Sequence, residues 1–76
     1  MTELQISLNS IDKVKSFVND ITKFDHDFDL VSGRYLIDAK SIMGIFSLDL
    51  SKPIDLKIHA DNLPPEVLDA LKPYVI

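Results

Sequence analysis

The segment Asp38-Ala39-Lys40-Ser41-Ile42-Met43-Gly44-Ile45-Phe46-Ser47-Leu48 carries a change of period. The two-residue alternation before it stops at this point, and Ile42 to Leu48 has room for about two helical turns. Ser41 stands where an N-cap belongs, because its hydroxyl can accept a hydrogen bond from an unpaired first-turn amide. Gly44 falls inside the helix and costs it about 1 kcal/mol relative to alanine. So short a helix is held by docking Ile45, Phe46 or Leu48 on a sheet, since propensity alone does not stabilise it.

Upstream, Tyr35, Ile37 and Ala39 alternate with Arg34, Leu36 and Asp38, and beyond the Ser32-Gly33 turn His26, Phe28 and Leu30 alternate with Asp27, Asp29 and Val31. So short a turn makes these two strands antiparallel neighbours. Leu4, Ile6 and Leu8 form the apolar phase of an opening strand. Ser10 then caps a helix whose stripe is Ile11, Val14, Val18 and Ile21, widened by Phe17 and Phe24. Downstream, Asp49 to Pro53 connects to a fourth strand with Ile54, Leu56, Ile58 and Ala60 inward. Pro65 suits the first position of a last helix, which buries Val67, Leu68 and Leu71 and stops before Pro73.

The order strand, helix, strand, strand, helix, strand, helix, with one polar face on every strand, predicts a single α+β domain over residues 1–76. It is a two-layer open-faced sandwich, its antiparallel or mixed sheet covered by helices on one side. The open face would carry Gln5, Ser7, Asp27, Asp29, Asp55, Lys57 and His59, with Val31 and Leu36 as apolar exceptions.

With 76 residues there is one modest core. The absence of cysteine excludes disulfides and thiolate catalysis and makes the cytosol the expected compartment. No signal peptide or bilayer-length apolar run is read, so no membrane partner is expected. A net charge of −4 and a single arginine, Arg34, argue against nucleic acid and for a protein partner with a basic or mixed patch.

Only His26 and His59 offer imidazole, and both are expected at the end of the domain opposite the first strand-to-helix loop. Each reads as exposed surface or as a ligand, and two distant donors make a poor zinc set. Asp25, Asp27 and Asp29 read as a solvated acidic face or as a weak cation site. No catalytic residue, cofactor or metal is assigned. Ser41 is the strongest regulatory candidate: either it is a cap alone, or a phosphate there meets free amides, with Lys40 adding charge and Ile42-Met43 an apolar contact.

Residues 38–48 resemble the signature around the regulatory serine of HPr, the histidine-containing phosphocarrier of the sugar phosphotransferase system. The likeness extends in element order from Leu4 through Ser16-Phe17-Val18 and Gly33 to Ile54–Ala60. It implies an antiparallel sheet in the order 1-4-2-3 with three helices on one face. It also implies a histidine in a Gly-x-His-x-Arg-Pro-Ala pattern that receives a phosphoryl group from the first enzyme of that system. Counting back from Ser16-Phe17-Val18 puts Ser10 at that histidine's position, Asp12 at the arginine's and Lys13 at the proline's. Serine cannot replace imidazole in a labile phosphoramidate relay, and Asp12 would repel a phosphate.

The regulatory serine does carry over, to Ser41, with Lys40, Ile42 and Met43 as partner surface. The resemblance therefore implies a non-catalytic regulatory or interaction domain, whose partners include a serine kinase or a transcriptional or transport regulator. The alternatives are noncanonical phosphoryl transfer through His26 or His59, and a purely structural remnant of the fold. The final helix is short for the family, which would expose a sheet edge to pairing.

Overall fold

Alternation along four segments places one apolar row of each on a shared surface, and hydrogen bonding fixes how those rows meet. The computed structural model describes residues Met1–Ile76. Its elements are β1 (Thr2–Ile6), α1 (Ile11–Ile21), β2 (Phe28–Ser32), β3 (Tyr35–Asp38), α2 (Ile42–Phe46), β4 (Ile54–Ile58) and α3 (Pro65–Leu71). The strands form one antiparallel sheet in the order β1-β4-β2-β3, as the resemblance implied.

In that register Ile6 opposes Ile54, Leu4 opposes Leu56, and Leu56 opposes Leu30, so a single apolar floor runs across the sheet. Val14, Phe17 and Ile21 of α1, Ile45 of α2, and Val67 and Leu71 of α3 pack on it, all fully buried. Burying a large apolar side chain of this kind stabilises a fold by about 1.5–3 kcal/mol. No helix is long and apolar enough to cross a membrane.

The β2–β3 hairpin closes on Gly33-Arg34, with Ser32 paired to Tyr35. Gly33 has φ +59 and is the only residue in that region, as a turn with glycine at its first central position requires.

Several boundaries differ from the sequence reading. β2 starts at Phe28, not His26, because Phe28–Ile58 is the first register pair. Asp25 and Asp27 therefore lie before the strand rather than on a face with Asp29. β1, β3 and β4 end short of Leu8, Ala39 and Ala60, although Leu8 and Ala39 remain buried.

α2 covers five residues rather than the two turns expected, because Ser47 forms its C-cap, yet Leu48 still enters the core. Ile11 is 62% exposed, since Val14, Phe17 and Ile21 set the inward direction and Ile11 sits roughly a quarter turn from it. Leu68 and Phe46 are also largely outside the core.

Tyr74, which carried no expectation, is buried with its ring edge-on to Phe17 at a centroid distance of 5.3 Å. The short α3 does not leave the β1 edge bare at its end. Val75 bridges Ile6, the Ser7 amide donates to the Tyr74 carbonyl at 2.8 Å, and the Ile76 amide donates to the Gln5 carbonyl at 3.1 Å.

Candidate functional site

The turn from β3 into α2 is tied down on both sides of Ser41. The Ser41 amide donates to the Asp38 carbonyl at 3.0 Å, and the Lys40 amide donates to Asp38 Oδ1 at 2.9 Å. Ser41 itself is extended (φ −93, ψ 101), so its Oγ faces the first turn and accepts from the Gly44 amide at 3.2 Å. One otherwise unpaired helix donor is satisfied in this way.

Gly44 has a reason beyond propensity. A Cβ there would sit 3.2 Å from Ser41 Oγ and 3.4 Å from Ile37 Cδ1, so the absent side chain lets the cap and β3 approach.

Ser41 and the three residues of the expected partner surface divide. Ser41 and Met43 are exposed, Met43 at 79%, while Ile42 is half-buried against the core. Lys40 turns back into the fold: its ammonium donates to the Phe24 carbonyl at 2.8 Å and lies 5.5 Å from the centre of the Phe28 ring. Its charge therefore fastens the start of α2 to the segment after α1, and the outward-facing chemistry is a hydroxyl beside a thioether.

Ser10 occupies the other serine-capped start. It is extended (φ −147, ψ 156), and its Oγ accepts from the Lys13 amide at 3.1 Å. Asp12 contributes the negative charge in the first turn of α1, where the helix dipole favours it. Asp12, Lys13, Ser16, Pro73 and Tyr74 line a shallow depression of about 230 Å³ beside it. The strand registers put Ser10 and Ser41 at opposite ends of the sheet, Ser10 beyond the Ile6–Ile54 pair and Ser41 beyond the Asp29–Asp38 pair.

Both histidines lie at the Ser41 end, since β4 runs down to Ile58 opposite Thr2 and β2 begins opposite Ile58. His59 is not a free surface side chain: its Nε2 is 2.6 Å from Asp29 Oδ2. That contact is diagonal across the β2–β4 ladder, where Asp29 directly opposes Lys57. Finding it from sequence required the register. The structure brings His59 and Asp29 together but does not gather Asp25, Asp27 and Asp29 with the histidines into a group of three donors.

The open face also carries Glu3, which the sequence reading left out and which lies 3.6 Å from the Lys57 ammonium. A further polar contact, at the edge of the core, is made by Tyr74, whose hydroxyl donates to Asp20 Oδ2 at 2.9 Å. Burial, then the bond to the Asp20 carboxylate and its negative charge, push the phenol up to about 12, against an opposing contribution from Ser16.

No family model and no curated protein matches the chain. Solved structures do. A crystal structure described as HPr-C-His from Thermoanaerobacter tengcongensis superposes with a TM-score of 0.76 at 28% identity, covering 96% of this chain and 89% of that one. A phosphocarrier protein HPr from Bacillus anthracis superposes with a TM-score of 0.70 at 28% identity, covering 99% of this chain and 94% of that one.

Proposed function

This is an HPr-like chain, and from that premise we propose that it is a non-catalytic regulatory or protein-interaction domain related to the sugar phosphotransferase system, working in the cytoplasm through the surface at Ser41 and Met43. The observation that carries this reading is the pairing of an accessible Ser41 hydroxyl with a Met43 side chain 79% exposed on a junction held by Asp38 and Lys40. Methionine is a flexible, polarizable contact residue suited to a protein surface that accepts a partner. The partner is a protein: a serine kinase acting on Ser41, or a transcriptional or transport regulator docking beside it.

In the regulatory step the γ-phosphoryl group of ATP passes to Ser41 Oγ, the hydroxyl proton leaves, and ADP is released. The phosphoserine retains oxygens able to accept from the Gly44 amide. It also adds about −1.5 to −2 charges next to Met43, which changes what can dock there. At the other end Ser10 serves as a helix cap, with Asp12 where a phosphate would be repelled.

Incubation with the family's serine kinase and ATP, followed by mass spectrometry, is expected to place a single phosphate on Ser41 and none on Ser41→Ala. An unmodified Ser41 removes the regulatory half of the reading. The second reading, phosphoryl transfer through a histidine, draws on the Asp29 carboxylate that orients His59 at 2.6 Å. Acid-labile label on His59 after incubation with phosphoenolpyruvate and the first enzyme of the system would favour it over the non-catalytic reading.

A further inference from the structure

The two edges of the sheet are finished differently. The β1 edge meets Val75 and Ile76, whereas β3 lies at the end of the strand order with nothing beyond it. That bare edge is Tyr35-Leu36-Ile37-Asp38, entered from the turn residue Arg34, and of these five residues all but Ile37 are exposed. We propose that β3 pairs antiparallel with β3 of a second copy of this chain about a two-fold axis at Leu36, joining two sheets into one.

Hydrogen bonding sets the frame of that pairing. A two-residue hairpin loop is closed by its flanking residues, so Ser32 and Tyr35 form a hydrogen-bonded pair, and Leu30 with Ile37 form the next. Leu36 lies between them, and its N–H and C=O point away from β2. Two such edges brought together at Leu36 exchange both bonds with each other.

Charge selects the register. An antiparallel pair centred on Leu36 sets Arg34 opposite Asp38 of the other copy, and by symmetry Asp38 opposite its Arg34. Both residues are exposed, and neither takes part in a salt bridge within its own chain. Asp38 uses Oδ1 to accept from the Lys40 amide, which leaves Oδ2 for the guanidinium.

A slip by one residue breaks both ion pairs and reverses the faces of the strand. Centred on Leu36, the open face instead gains a continuous row in which Val31 and Leu36 meet Leu36 and Val31 of the second copy. These are the two apolar side chains on an otherwise polar face. Tyr35 meets Ile37 of the second copy on the helix side.

The contact is a few residues long, so it falls at the small end of specific interfaces and forms a weak dimer. It uses neither Ser41 nor Met43, and it stands or falls separately from the proposed regulatory role.

Sedimentation equilibrium of the full chain from about 10 µM to about 1 mM, the range of dissociation constants that corresponds to a weak association, is expected to show the mass rising from 8.6 kDa toward twice that value. Amide exchange at Leu36 is expected to slow over the same range. Arg34→Asp and Asp38→Arg each place like charges opposite one another at both symmetric positions, and each should weaken self-association by about tenfold or more. An equimolar mixture of the two variants pairs opposite charges at both positions and should recover a heterodimer. Each variant is first shown to be folded by its amide spectrum.

A constant monomer mass up to the highest concentration overturns the proposal. So does association that Arg34→Asp leaves unchanged, or a mixture of the variants that stays monomeric.

Discussion

The starts of α1 and α2 use the same local device and depend on it to different degrees. Ser10 and Ser41 are both extended, and both accept from the amide three residues on, at 3.1 and 3.2 Å. α1 has eleven residues and buries Val14, Phe17 and Ile21; α2 has five and buries Ile45 alone. The first helix is held by its buried face and trimmed by its cap. The second is a short element whose cap, glycine and flanking Lys40 anchor provide much of what fixes it, which leaves its outer side free for Met43. The same serine cap therefore starts a long helix with a buried face in one place and a single-turn helix with an exposed outer side in the other.

The largest blow to the α1 side of this contrast is Phe17→Ala. It removes a fully buried ring and its edge-on contact with Tyr74, and it should lower unfolding free energy by about 3–5 kcal/mol in urea titration. Tyr74→Phe keeps the ring and deletes the bond to Asp20, at an expected cost of about 1.5 kcal/mol.

The same tyrosine gives the pH dependence. Its folded pKa lies above the usual 10.0, at about 12, so the fold favours the protonated phenol. The stabilisation is complete below pH 10 and lost as pH rises toward 12. Thermal unfolding followed across that window should show a fall that Tyr74→Phe lacks.

The two caps sharpen the contrast directly. Ser10→Ala and Ser41→Ala should each cost about 1 kcal/mol. Hydrogen exchange should report the Ser10 loss across the whole fold and the Ser41 loss as faster opening of the Gly44 and Ile45 amides. Gly44→Ala gains about 1 kcal/mol of helix propensity. It also places a methyl 3.2 Å from Ser41 Oγ, so the net change in melting should be close to zero. Met43→Asp should be smallest of all, within about 0.5 kcal/mol in stability, because the side chain is exposed. Its effect should appear instead as loss of partner capture in a pull-down.

The alternating rows of Leu4-Ile6, Phe28-Leu30 and Ile54-Leu56-Ile58, the two serine caps and Pro65 at a helix start are all local patterns. Each was readable because strand and helix periods are written in consecutive residues. Strand ends were less legible. β2 begins at Phe28 because that residue has a partner in Ile58, and His26 alternates just as well without one. Lys40 could be read as charge beside Ser41, but not as a donor to a carbonyl sixteen residues earlier.

By itself the sequence determined the order of elements, the inward rows of the strands, and the chemistry available at Ser10 and Ser41. Those depend on spacing along the chain. Only the tertiary structure decided that His59 meets Asp29, that Tyr74 closes the core over Phe17, that Lys40 faces inward, and that Val75 bridges the β1 edge at Ile6. Each of these joins residues distant in sequence through strand register or helix docking. The energy that sets register and docking comes from packing of the whole apolar floor, which no single segment carries.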